Sequence, residues 1–181
     1  MTWVWRFLLG LALGLGVWGV WWRLEHRTEA VASDFVRQFE SASLRRPGPD
    51  VFAVRDVTIS GAARPAITVQ QPSRIAWDLT VPENGWFEAY LALQEEAWTR
   101  DGDGVLFRVG ISFDGTYEEL VTRVVNPFAV ADDRRWVPIA VDLGPYAGRT
   151  VSLIFNTGSG FEGDNRDNDL AVWGAPRLVT R

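Results

Sequence analysis

Cysteine is absent from all 181 residues. That excludes disulfides, thiolate metal sites and cysteine nucleophiles, and leaves the redox compartment open. Lysine is absent as well, so all 18 basic side chains are arginine. A single histidine, His26, stands near the N-terminus. Alone there it cannot complete a Ser-His-Asp arrangement further along, nor a histidine-based zinc or iron site. Carboxylates are plentiful, but Glu95-Glu96 and Glu118-Glu119 are adjacent pairs. Neighbours on a strand point to opposite faces, so neither pair converges as a glycosidase pair must. No catalytic residue is assigned, and the chain reads as a non-enzyme. Positive charge is scarce where it would matter for nucleic acid. Residues 1–46 hold six arginines and four acids, whereas residues 47–181 hold twelve arginines and nineteen acids, a balance of −7. An acidic body of that kind lacks the basic face that phosphate neutralisation needs.

What is present begins with a long apolar run. Phe7–Trp22 contains no polar side chain, and with Trp3–Arg6 it makes twenty residues, roughly 30 Å of helix. Trp3, Trp5, Trp18, Trp21 and Trp22 gather toward its two ends, the pattern of an interfacial aromatic belt. Residues 1–24 therefore read as a single-pass transmembrane anchor in a cell membrane, with the lipid bilayer as a partner. The rival is a cleaved secretory signal ending near Ala30-Val31-Ala32, but Arg23, Glu25, His26 and Arg27 intervene. Gly10 and Gly14 are spaced for close helix packing, so self-association or a transmembrane protein partner is an expectation beside the bland reading that glycine is common in such spans.

Residues 25–46 read as a helical neck. Val31, Phe35 and Phe39 recur at spacing four, giving one apolar stripe. Pro47-Gly48-Pro49 then ends it. From Val51 the period changes to two. Val105, Phe107, Val109, Ile111 and Phe113 alternate with other residues, as do Ile75, Trp77, Leu79 and Val81, and Val151, Leu153 and Phe155. Turn signals separate these runs, among them Asp101-Gly102-Asp103-Gly104 and Asp114-Gly115. Residues 47–181 are thus expected to form an all-β sandwich of about eight or nine strands, most simply a jelly roll.

The stretch Arg135-Trp136-Val137-Pro138-Ile139-Ala140-Val141-Asp142-Leu143-Gly144-Pro145-Tyr146-Ala147-Gly148, running on to Val151-Ser152-Leu153-Ile154-Phe155, resembles the late strands of galactose-binding-domain-like jelly rolls. Asp169-Leu170-Ala171-Val172-Trp173-Gly174-Ala175-Pro176-Arg177-Leu178 is similar to their closing strand. The resemblance covers about residues 104–179. It implies the fold and admits a carbohydrate-binding module, an adhesion domain or an inert spacer. It also admits a structural calcium ion. Asp101 and Asp103 form one fragment of a calcium loop, and Asp164, Asp167 and Asp169 lie in another oxygen-rich run, with plain solvated turns as the alternative.

Ligand-binding candidates are aromatic and charged residues outside the clean alternations: Trp98 with Arg100, Phe128, Trp136 and Phe161. Such rings stack on sugars, or else plug the ends of a sandwich. Trp136, off the apolar face of its strand, is expected to be exposed or in an interface. The leading expectation is a membrane-anchored, extracytoplasmic module for non-catalytic binding of a glycan-like ligand. The alternative is an accessory subunit of a larger membrane complex, held by its transmembrane helix. Arg23, Arg27 and Arg37 beyond the span pull toward a cytoplasmic domain by the positive-inside rule. The short N-terminal tail and the resemblance to modules that work outside the cytoplasm pull the other way.

Overall fold

In the β region each run with period two becomes a strand with one buried face, as Val105, Phe107, Val109 and Ile111 do around exposed Arg108. The computed structural model describes residues 29–160 and 170–181. The strands in chain order are β1 (Ala30–Asp34), β2 (Leu44–Arg46), β3 (Phe52–Ile59), β4 (Ala62–Val69), β5 (Ser73–Thr80) and β6 (Gly85–Leu93). They continue with β7 (Val105–Phe113), β8 (Thr116–Val125), β9 (Val137–Asp142), β10 (Thr150–Ser159) and β11 (Ala171–Thr180). One sheet runs β3-β4-β11-β6-β9, with β1 also paired to β11. The other runs β2-β5-β10-β7-β8. The described part is an all-β sandwich of eleven strands in two sheets, with only short 3-10 turns between them. Among the described residues no helix is long and apolar enough to cross a membrane. The anchor over residues 1–24, with Gly10 and Gly14, lies outside the described residues.

The helical neck is corrected. Over the described part of residues 25–46 the chain forms β1, a turn, a 3-10 turn at Phe39–Ser41, and β2. Two physical reasons are visible. Asp34 Oδ1 accepts the N–H groups of Val36 and Arg37 at 3.0 and 3.2 Å, a local turn that competes with helix. Both flanks also find partners in the sheets: Phe35 N–H donates to Pro176 O at 3.1 Å, and Ser43 N–H to Ala76 O at 2.8 Å. Tertiary pairing overrides a local period of four. The stripe itself splits, because Phe35 is fully buried while Val31 is 54% exposed. A further strand, β4, follows the tight Ser60-Gly61 turn, where both residues have positive φ, 47° and 77°. That is the hairpin geometry that suits twisted strands.

The core lies between the sheets and is strongly aromatic. Phe35 packs 4.9 Å from Trp77 and 5.5 Å from Phe155. Phe155 in turn lies 5.0 Å from Phe87 and stacks on Trp173 at 4.9 Å. Phe107 meets Trp173 edge-on at 5.1 Å. Trp77 also donates its indole N–H to Gln38 O at 3.0 Å, tying the turn after β1 to the core.

Phe35→Ala is expected to reduce the unfolding free energy by ~3–5 kcal/mol, the usual cost of removing a buried ring. Urea unfolding followed by circular dichroism measures it. A loss under about 1 kcal/mol would mean that Phe35 is not a core residue.

Candidate ligand groove

Because side chains alternate along a strand, the inward set of the five-stranded sheet defines an outward set. On β10 the inward Phe155 puts Asn156 outside. On β7 the inward Phe107 and Val109 put Arg108 outside. On β5 the inward Ile75 puts Arg74 outside. Register then decides what meets. Arg46 pairs with Arg74, Arg74 with Asn156, Asn156 with Arg108 and Arg108 with Thr122. One row therefore crosses all five strands and carries three arginines. Arg74 Nε donates to Asn156 Oδ1 at 2.6 Å. Arg108 Nε lies 3.4 Å from Glu119 Oε2, and Glu119 also accepts the Thr122 hydroxyl.

The next row is floored by small or apolar residues, Ala76, Ile154 and Gly110. Over Gly110 lies Tyr117. A Cβ at Gly110 would overlap its ring, so the missing side chain is what lets the ring lie on the sheet. Tyr117 is 45% exposed. The Asp114-Gly115 turn, with φ of 48° and 75°, sets this hairpin. A register shift between Val109 and Gly110 then brings Glu119 opposite Gly110. Beneath one end of the groove the Ser73 and Thr157 hydroxyls share a buried hydrogen bond of 2.5 Å. Arg46, Arg74, Asn156, Arg108, Tyr117 and Glu119 line an open groove of about 560 Å³, the size of small-ligand sites.

The residues singled out in sequence do not gather into one site. Trp136, expected to be exposed or in an interface, is buried within the domain, at 7% exposure. It covers the outer face of the six-stranded sheet in a second apolar cluster with Val57, Ile59, Ala66, Ala92 and Val172. Ala66, Ala92 and Gly174 leave the space, and Trp136 Nε1 donates to Ala62 O at 2.8 Å. Trp98 is half-buried against the same cluster, its indole N–H donated to Leu93 O at 3.1 Å. Arg100 and Phe128 both line a cavity of only about 10 Å³, room for roughly one water. Phe161 lies outside the described residues.

The carboxylates also divide. Glu118 and Glu119 point apart, since Glu118 accepts the Tyr146 hydroxyl at 2.5 Å. Burial first, and then the Glu118 hydrogen bond and charge, push the Tyr146 phenol up to about 12. Asp133 is buried but satisfied, by Arg123 and by the Asn126 N–H, both at 2.9 Å. Asp101 is exposed. Asp103 is different: both carboxylate oxygens are buried and meet no hydrogen-bond donor among the described residues. No group of three acidic or histidine side chains poised for a metal occurs among the described residues. Asp164, Asp167 and Asp169 lie outside them.

No protein-family model matches the chain. An uncharacterized protein of Archaeoglobus fulgidus is 36% identical over 102 residues, covering 56% of this chain and 25% of that protein. Among solved structures, a CBM51 from Clostridium perfringens GH95 in complex with methyl-galactose superposes with a TM-score of 0.53 at 14% identity, over 83% of this chain and 99% of that one. A C. perfringens ZmpB structure holding the M60 catalytic domain with two CBM51 domains gives a TM-score of 0.52 at 17% identity, over 77% of this chain and 14% of that one. The fold is a galactose-binding-like jelly-roll β-sandwich. Carbohydrate-binding modules share this jelly roll. At these identities the likeness extends to the fold alone.

Gly110→Ala is expected to lift the Tyr117 ring off the sheet while changing stability by less than about 1 kcal/mol, because the displaced ring is at the surface. Ring-proton chemical shifts of Tyr117 by NMR, alongside a thermal melt, test this. An unmoved ring would mean that the sheet itself yields.

Proposed function

We propose that this chain is a non-catalytic glycan-binding module whose ligand lies in the groove on the outer face of the five-stranded sheet. The observation that carries the reading is the pairing of Tyr117, laid over Gly110, with hydrogen-bonding side chains in one cross-strand row. A sugar ring offers a C–H face to an aromatic platform and hydroxyls to amide and guanidinium groups. Asn156 spends its carbonyl on Arg74 and keeps its amide N–H donors for a ligand. The likeness to carbohydrate-binding modules supports the same reading at the level of fold.

The proposal places the module outside the cytoplasm on a single N-terminal span. The span rests on the apolar run and tryptophan belt of residues 3–22, and the side on the short N-terminal tail and the resemblance to modules that work outside the cytoplasm. It also includes a structural cation at Asp103. A buried carboxylate with no donor is costly, and calcium, which takes oxygen ligands, would remove the cost.

A glycan array probed with the full chain in mild detergent is expected to show binding that Tyr117→Ala reduces at least about tenfold, as loss of a stacking platform would. Binding unaffected by Tyr117→Ala would move the site elsewhere. For the cation, added calcium is expected to raise the melting temperature, by the mass action of any ligand that binds the folded state. Asp103→Asn should reduce that rise. An identical calcium response in both proteins would rule out Asp103 as a ligand.

A further inference from the structure

Resting on the glycan reading of this groove, we infer that its ligand is an acidic polysaccharide, a strand of carboxylate- or sulfate-bearing sugars lying across the β-strands along the arginine row. Neutral-sugar recognition does not need such a row. Arg46 and Arg74 are direct cross-strand partners, and like charges in that relation oppose one another. Neither has a carboxylate partner among the described residues. The hydrogen bond that Arg74 makes is to the neutral amide of Asn156. The third member, Arg108, faces Glu119 at 3.4 Å with both side chains nearly half exposed, a contact worth little in water. Three arginines against one glutamate leave the groove cationic, although the chain as a whole carries −5. The positive charge is therefore local to the groove and not a property of the surface at large.

Spacing adds a second constraint. Neighbouring strands lie about 4.8 Å apart. Arg46 and Arg74 are one strand apart, and Arg74 and Arg108 are two, with Asn156 between them. The row thus offers cations at intervals of about 5 and 10 Å, suited to a polymer whose acidic groups recur along its length. Guanidinium forks bind carboxylate and sulfate-like oxygens in pairs. Tyr117 lies beside the row, where a sugar ring of the same chain can rest. An extended nucleic acid is disfavoured, because its phosphates would run beyond the groove onto an acidic body.

The test uses the full chain in mild detergent, titrated by calorimetry with polygalacturonate, dextran sulfate, neutral dextran and neutral galactan. The expected result is binding to one or both acidic polymers, weakened by salt. Arg74→Gln and Arg108→Gln should each weaken it by about tenfold or more, the effect of losing a charged hydrogen-bond donor. The two variants sit on different strands, and a thermal melt confirms that each is folded. Preference for polygalacturonate over dextran sulfate would assign the anion as carboxylate, and the reverse as sulfate. Binding to neutral polymers that is indifferent to both arginine variants would overturn this inference while leaving the glycan reading in place. Binding to none of the four polymers, whether or not anionic lipid vesicles or single-stranded nucleic acid titrated in parallel bind, would overturn both.

Discussion

Phe155 is the residue on which both the packing and the surface depend. It sits on β10, the central strand of its sheet, and touches rings from both sheets and from the segment before β2: Trp77, Phe87, Trp173 and Phe35. Aromatic side chains bring large apolar area with few rotatable bonds, and tilted or offset pairs add to what burial supplies. The strand has no freedom to slip under that constraint, because a one-residue shift would turn Phe155 outward. The same constraint holds Asn156 outward between Arg74 and Arg108. Core and groove are therefore specified by adjacent residues of one strand, and what keeps the sandwich closed also keeps the arginine row in register.

Several strands were legible because one face of each is buried. Val105 through Phe113 and Val151 through Phe155 alternate as a half-buried sheet demands, and the Asp114-Gly115 pair has the positive φ values of a hairpin turn. Other strands carry no such signal. β4 holds Pro65 and three alanines, and its last four residues are all buried, on both faces. β1 and β2 are short and lie beside a local period of four, which mimics a helix until the partners at Pro176 and Ala76 are seen. β1 and β2 thus belong to the two sheets, although Pro47-Gly48-Pro49 looks like a boundary.

The site was harder to read than the fold for a definable reason. Aromatic residues off a clean alternation draw attention as ligand contacts, yet Trp98 and Trp136 fill the space that Ala66, Ala92 and Gly174 leave on the back of a sheet. That space is made by three strands together and is invisible in any one of them. The arginine row is hidden in the same way. Arg46, Arg74 and Arg108 each look like an ordinary solvent-facing residue, and only cross-strand register lines them up. Tyr117 reads as a polar-edge residue until Gly110 is found beneath it.

The cover that Trp136 and Trp98 form has a consequence for valency. With that region of the six-stranded sheet covered by Trp136 and Trp98, the two outer faces differ: one is open along its arginine row, the other partly sealed by indoles. Under the proposed reading, a single copy would offer a repetitive ligand one groove. Durable attachment to a polymer would then come from several copies acting together, where each bound domain raises the effective concentration of the next.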